Sequence, residues 1–109
     1  MSTIEDTSAV DAIGIDKNTG KVVLKIFDHL DWEDELSHLY LLQEKINSYL
    51  KFMESEQILN AYPDSKNRKL LIAISFREMP CANAIKFLDT ASRLVLNAGF
   101  DLTYSIVNV

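Results

Sequence analysis

The apolar residues of this chain repeat with two different periods, which predict strands in some segments and helices in others. Ile13 and Ile15 alternate with small or polar residues, and a strand-like alternation resumes over residues 21–28. In the intervening residues 16–20, Asn18 and Gly20 both tolerate the positive φ that a tight turn demands. The pattern over residues 10–28 therefore predicts a β-hairpin.

The strongest helical repeat follows Asp31, a residue that can cap the free amides at the start of a helix. The acidic residues 33–35 suit the positive end of the helix dipole. Apolar residues then recur at spacings of three and four for about six turns. They are Trp32, Leu36, Leu39, Leu42, Ile46, Tyr49, Leu50 and Met53. This spacing predicts a long amphipathic helix, with another helical turn or two near residues 58–62 that Pro63 ends.

The remaining segments predict a strand, a helix and a final strand. Residues 69–77 form a β-branched, apolar run that is typical of a central strand. Pro80 suits a helix start, and apolar residues follow at helical spacing until Gly99. Residues 100–109 alternate again as a closing strand. Residues 1–8 are polar without periodicity and predict a disordered tail, so a single domain is expected over residues 9–109.

The order ββαβαβ predicts an α+β fold, a two-layer sandwich with a four-stranded mixed sheet and the two main helices on one face. The strand order is left open by the sequence. The side chains predicted to face the helices are Ile13, Ile15, Val22, Leu24, Ile26, Leu70, Ile72, Ile74, Phe76, Leu102, Tyr104 and Ile106.

The opposite, outer face of the predicted sheet has an apolar bias. Its apolar members are Val23, Phe27, Leu71, Val107 and Val109. A sheet face that meets only water normally carries polar residues, so these five side chains predict a surface that prefers to be covered. We expect self-association or the docking of a protein partner there, although scattered apolar residues on an open sheet can also remain without a partner.

The composition indicates an ordinary globular protein but does not indicate its function. The 109 residues are 48% apolar and 25% charged, which is ordinary for a globular domain that can bury a core. The single cysteine, Cys81, cannot form an internal disulfide, and the first residues lack the blocks of a secretory signal. We therefore expect a cytoplasmic protein. No apolar run reaches the roughly 18 residues of a membrane span.

Charge and glycine content argue against nucleic acids and nucleotides. The net charge is −5, which repels phosphate backbones. The basic residues at 66, 68 and 69 have no interleaved aromatic residues that could stack bases, and a solvated loop explains them. Three scattered glycines cannot build a Gly-rich phosphate loop. We expect no cofactor, no nucleic acid partner and no membrane partner.

Candidate chemistry concentrates between residues 28 and 38, where both histidines lie. Asp28, His29, Asp34 and His38 could supply oxygen and nitrogen ligands for a divalent metal, because Asp34 and His38 would share a helix face. Their spacing matches no established metal motif, and capping alone explains acidic residues at a helix start. Cys81, next to Pro80, is a second candidate as a nucleophile or redox sensor, but no histidine lies near it in sequence.

Several of these segments also resemble a known family. They are residues 10–20, the run DHLDWEDE at residues 28–35 and the run LLQEK at residues 41–45. Together they resemble a family of small uncharacterised bacterial proteins, a domain of unknown function, over nearly the whole chain after the tail. The resemblance implies a bacterial, cytoplasmic, single-domain protein, and it brings no activity, ligand or catalytic residue with it.

The sequence thus favours a non-enzymatic protein-interaction module, homodimeric or bound to another protein. A small acidic inhibitor or immunity-type protein is one form of this function, since negative charge speeds the encounter with a basic partner. The alternative is a metal-dependent hydrolase or small-ligand binder that uses Asp28, His29, Asp31, Asp34 and His38. A thiol-based sensor at Cys81 is a third hypothesis.

Overall fold

The computed structural model of the chain describes residues 4, 6, 7 and 9–107. In chain order, its elements are β1 (Ala12–Ile15), β2 (Val22–Asp28), α1 (Glu35–Glu54), α2 (Gln57–Ala61), a short 3-10 helix (Pro63–Ser65), β3 (Leu70–Phe76), α3 (Ala82–Asn97) and β4 (Asp101–Ile106). The α+β class, the ββαβαβ order and the four-stranded mixed sheet predicted from the sequence are confirmed.

The strands lie in the order β1-β2-β3-β4. The hairpin partners β1 and β2 are antiparallel, whereas β2, β3 and β4 are parallel to one another. Parallel neighbours need crossover connections, which α1 and α3 supply. The starts of these two helices meet where the Asn83 amide donates a 2.6 Å hydrogen bond to the Glu35 carboxylate. Both helices therefore begin near the carboxyl ends of the strands that precede them.

The core lies between the sheet and the helices, where alternate residues of β2 and β3 are buried. Val22, Leu24, Ile26, Ile72 and Ile74 are all fully buried, as their alternation predicts. The prediction for β4 is only partly right. Leu102 is buried, but Tyr104 and Ile106 are 42% and 39% exposed, because β4 is the edge strand and no described helix lies beyond it.

The start of α1 differs from the prediction. Asp34, rather than Asp31, is the N-cap residue, and its carboxylate accepts a 3.3 Å hydrogen bond from the Ser37 amide. Trp32 therefore precedes the helix, and Leu36 is 82% exposed instead of buried. The buried face of α1 consists of His38, Leu42, Lys45, Ile46, Tyr49 and Met53. Two polar side chains thus occupy a face that hydrophobic periodicity alone assigned to apolar residues.

Two glycines lie where the sequence predicts a hairpin turn and the end of a helix. Gly20 in the hairpin has a φ of 74°, and Gly99 after α3 has a φ of 95°. At the end of α3, the Gly99 amide donates to the Leu96 carbonyl at 2.9 Å and the Phe100 amide to the Val95 carbonyl at 3.0 Å. These two bonds satisfy carbonyls that the last helical turn leaves open, in the arrangement that glycine favours.

The described part of the N-terminal segment packs against the domain. Ile4 is fully buried in the hydrophobic core. The backbone carbonyls of Asp6 and Ala9 accept hydrogen bonds from the Lys45 ammonium at 2.7 and 2.8 Å. The other residues of the predicted tail, 1–3, 5 and 8, lie outside the described residues.

Candidate functional site

The first candidate site is a buried pair at the carboxyl end of β2. Asp28 is the last residue of β2, and strand alternation turns its side chain towards the helices. His38 lies on the buried face of α1. The Nε2 atom of His38 and the Oδ2 atom of Asp28 are 2.5 Å apart, and each residue is 2% exposed. The two residues, ten apart in the chain, therefore form one polar unit inside the domain.

The hydrogen bonds of this pair use its remaining polar atoms. Oδ1 of Asp28 accepts a hydrogen bond from the Leu30 amide at 3.1 Å. Nδ1 of His38 lies 2.8 Å from the Asp31 carbonyl oxygen, which can only accept, so Nδ1 carries a proton. A second proton lies between Nε2 of His38 and Oδ2 of Asp28, and either of these two atoms can carry it. The pair is closed, because each of these four atoms already has a partner within the protein.

Trp32 covers the imidazole of the pair. Its ring stacks on His38 with a centroid distance of 3.6 Å and an interplanar angle of 16°, and its centroid lies 6.0 Å from that of Phe76. The indole Nε1 is buried and has no hydrogen-bond partner among the described residues. Trp32 thus shields one face of His38 from water and helps to keep the pair in a low-dielectric environment.

Burial determines the protonation behaviour of Asp28. Desolvation raises the pKa of its carboxyl group above the ordinary value of 3.8, and the hydrogen bond to His38 offsets this only in part. A raised pKa means that the folded state binds the proton more tightly than the unfolded state. The contribution of this proton to stability is therefore full below pH 3.8 and is lost as the pH rises through the folded-state pKa.

We expect Asp28→Asn to remove this pH dependence. The asparagine carbonyl can accept from the Leu30 amide, and its NH₂ group can donate to Nε2 of a neutral His38. The free energy of unfolding of the variant, relative to the native chain, should therefore increase as the pH rises from about 4 to 7. Urea unfolding of both proteins across this range measures the difference. A difference that is constant with pH, or that falls as the pH rises, would contradict the expectation.

The structure brings together only two of the four residues proposed as metal ligands. Asp28 and His38 form the buried pair, whereas His29 is exposed and Asp34 uses its carboxylate to cap α1. Asp31 is also exposed, and its Oδ1 accepts from the Glu33 amide at 3.1 Å. Among the residues that the structure describes, no group of three or more His, Cys, Asp or Glu side chains is placed to hold a metal ion.

Cys81 is the N-cap residue of α3. It is half-buried, and its side chain makes no capping hydrogen bond. The helix starts one residue later, at Ala82. Within the described part of the chain, the thiol has no hydrogen-bonded or charged partner that would activate it.

A second buried polar cluster was missed by the sequence analysis. The Lys45 ammonium, fully buried on α1, lies 2.7 Å from the Asp11 carboxylate in addition to the two backbone carbonyls of residues 6 and 9. The other Asp11 oxygen accepts from the Phe27 amide at 2.9 Å. The Tyr49 hydroxyl donates to the Lys25 carbonyl at 2.5 Å and accepts from the Asp11 amide at 2.8 Å.

This cluster ties three separate segments together. It links the N-terminal segment, α1 and the part of β2 that extends beyond its pairing with β1. Burial raises the pKa of Tyr49, so its hydroxyl remains protonated and keeps its hydrogen bond to the strand. Each contact is satisfied within the protein, so the cluster is a structural clamp. The available sequence signal was the position of Lys45, which lies between Leu42, Ile46 and Tyr49 on the predicted buried face of α1.

The outer face of the sheet has no covering layer among the described residues. Phe27 and Val107 are each 43% exposed, and Val23 and Leu71 are half-buried by their neighbours in the sheet. Two shallow depressions run along this face. One, of about 480 Å³, lies beside β1 and Leu71, and the other, of about 370 Å³, lies beside Phe27 and Val107. Val109 of the predicted surface lies outside the described residues.

One part of the outer face differs in charge from the rest of this acidic chain. Lys25 and Arg77 border the depression beside Phe27 and Val107. The acidic residues Asp31, Glu33 and Asp34 instead lie exposed in the segment that leads into α1. The depression beside Phe27 and Val107 is therefore bordered by basic side chains, whereas the segment before α1 is acidic.

Comparison with known proteins identifies a family for this chain but indicates no activity. No helix in the described part of the chain is long and apolar enough to cross a membrane. Searches of curated proteins and of solved structures found no match. A family model described as a family of unknown function, DUF6572, matches residues 1–108, which confirms the resemblance to an uncharacterised domain. The predicted bacterial origin stays a prediction. Because the match extends over nearly the whole length, the chain belongs to DUF6572.

Proposed function

We propose that this chain is a non-enzymatic protein-interaction module that binds a protein partner through the outer sheet face and acts as a homodimer. One observation carries the proposal: β2, β3 and β4 are parallel, yet among the described residues helices cover only one side of them. Parallel sheets occur almost only where both faces are covered, because their strands are apolar on both sides. The apolar side chains of Phe27, Leu71 and Val107 fit this explanation.

The clusters of polar side chains support a binding role over a catalytic one. The buried pair of Asp28 and His38 and the clamp around Lys45 use their polar atoms on one another. Neither cluster leaves an acid, base or nucleophile directed at an open cleft. We therefore do not carry forward the metal-dependent hydrolase or the small-ligand binder. We place the module in the cytoplasm, because a single half-buried cysteine is typical of proteins in a reducing compartment.

A role as a small inhibitor or immunity-type protein is a narrower form of this proposal. A basic partner would be attracted by the acidic segment before α1, whereas Lys25 and Arg77 would repel it from the outer face. An inhibitor of a basic protein would therefore contact Asp31, Glu33 and Asp34. The apolar outer face suits a neutral or acidic partner surface better.

A pair of matched variants tests the outer face. We expect Phe27→Lys to abolish the recovery of a stoichiometric partner from native extract, because a lysine there places an uncompensated charge in the apolar contact. Leu94→Lys is the control, since Leu94 is exposed on α3 at 62%, on the helical side of the sandwich. Capture with both variants followed by quantitative mass spectrometry provides the measurement. Equal recovery of the same partner by Phe27→Lys and the native chain would refute a role for this face.

A further inference from the structure

The free edge of β4 presents a row of backbone groups that no described strand pairs. The Val107 amide donates to the Phe76 carbonyl of β3 at 2.8 Å. Because successive residues of a strand direct their backbone groups to opposite sides, those of Leu102, Tyr104 and Ile106 point away from β3. β4 is the last strand of the sheet. These three residues therefore form a template to which another strand can add.

This edge lacks the features with which proteins usually block such pairing. Residues 101–107 contain no lysine, arginine or proline, and Asp101 is their only charged residue. Exposed edge strands are normally protected from pairing with another chain by charges, prolines, bulges or a short length. The other edge of the sheet is protected in this way, because β1 has only four residues and the Asp11 carboxylate covers the Phe27 amide beyond it.

The surroundings of the edge carry exposed apolar side chains and paired charges. Tyr104 and Ile106 are exposed on the inner face, and α3 adds the exposed side chains of Ile85 and Leu96. A groove of about 290 Å³ lies between α3 and β4. The nearby charges neutralise one another: Lys21 lies 3.5 Å from Asp101, and Arg93 lies 2.9 Å from Asp89. A chain with a net charge of −5 can approach its own copy here with little repulsion.

We infer that two copies of this chain join β4 to β4 in antiparallel orientation about a twofold axis, which creates a continuous eight-stranded sheet. Tyr104 lies at the axis and pairs with the Tyr104 of the other copy, while Leu102 pairs with Ile106. In this register every outward N–H group of one strand donates to an outward carbonyl of the other. The inference rests on the homodimer in the proposed function and is independent of partner binding by the outer face.

This register also separates like charges and covers exposed apolar side chains around the edge. The two copies of Asp101 lie six residues apart along the paired strands, or roughly 20 Å, which avoids like-charge contact. Joining the two sheets through β4 also brings the two copies of α3 next to each other on the same face. The pair of helices then covers Tyr104 and Ile106, which a single copy leaves exposed.

A charge-reversal pair at the axis tests the inference. Tyr104→Lys places two lysines directly opposite each other, and Tyr104→Glu places two glutamates there, so each variant alone should be monomeric. An equimolar mixture should form a one-to-one heterodimer, because the opposite charges then face each other. Sedimentation velocity should show dimers for the native chain and the mixture, with self-association at least tenfold weaker for each variant alone. A monomeric native chain, or a mixture that remains monomeric, would overturn the inference.

A second pair of variants separates backbone pairing from loss of a side chain. Ile106→Pro removes an outward N–H group without removing a β3–β4 hydrogen bond, and Ile106→Ala removes the side chain but keeps that group. We expect Ile106→Pro to weaken dimerisation at least tenfold relative to Ile106→Ala. Circular dichroism shows whether each variant is folded. If instead Phe27→Lys dissociates the dimer while Ile106→Pro does not, the copies associate through the outer face and the β4 inference is wrong.

Discussion

Lys45→Met is expected to lower the free energy of unfolding by about 3–5 kcal/mol, the usual cost of removing one partner from a buried ion pair. The substitution keeps most of the side-chain volume but leaves the Asp11 carboxylate without its cation. The backbone carbonyls of residues 6 and 9 also lose the hydrogen bonds that the ammonium donates to them. Urea denaturation followed by circular dichroism at pH 7 would measure the loss.

The matched control for this prediction is Lys51→Met, on the same helix. Lys51 is exposed, so its replacement should change the free energy of unfolding by less than about 0.5 kcal/mol. The double variant Lys45→Met with Asp11→Asn should recover part of the loss, because it no longer buries an unpaired carboxylate. A Lys45→Met protein as stable as the control would show that the ammonium is not the centre of the clamp.

His38→Ala is expected to have the second large effect, a loss of about 3–4 kcal/mol in the free energy of unfolding. The alanine leaves Oδ2 of Asp28 without a partner and removes the ring on which Trp32 stacks. The fluorescence of Trp32, the only tryptophan, should shift to longer wavelength in the folded variant as water reaches the indole. Chemical denaturation and emission spectra give the two readouts.

His29→Ala controls for the removal of a histidine from the same segment. His29 is exposed, and its charge has the smallest of the effects on the pKa of Asp28, so its replacement should change the unfolding free energy far less than His38→Ala and leave the emission maximum close to that of the native chain. If His38→Ala behaves like His29→Ala, the buried pair contributes little to the stability of the fold. Asp28→Asn should be milder than His38→Ala, because it preserves hydrogen bonds to both partners.

The inferred dimer would also give the outer face the size that protein recognition needs. Four strands about 4.8 Å apart, with four, seven, seven and six residues, form a face of roughly 20 by 20 Å. This footprint is about half of the roughly 800 Å² that each partner contributes to a standard interface. Joining two copies through β4 doubles the continuous outer face. The two proposals therefore support each other physically, although separate variants test them.

Most of the secondary structure could be predicted because its signals are local. The hairpin turn depends on Gly20 and the end of α3 on Gly99, and both glycines have the positive φ that their positions require. The alternation in β2 and β3 predicted their buried faces. The start of α1 could not be located from capping preference alone, because Asp31 and Asp34 are equally suitable N-cap residues by type.

The candidate site was predictable in its members but not in its arrangement. Asp28 and His38 could be identified as candidates because both histidines and several carboxylates lie within eleven consecutive residues. Their direct contact depends on where α1 crosses β2, which no spacing along the chain specifies. The clamp of Asp11 and Lys45 spans 34 residues and depends on the same packing.

The sequence by itself determined the α+β class, the order of the elements and the burial of β2 and β3, because hydrophobic periodicity and turn residues act over a few neighbouring positions. Only the tertiary structure decided the strand order, the edge position of β4 and the burial of His38 and Lys45. A polar side chain can be buried only if a partner from a distant segment arrives to satisfy it. That partner is specified by the packing of whole elements and not by the residues beside it.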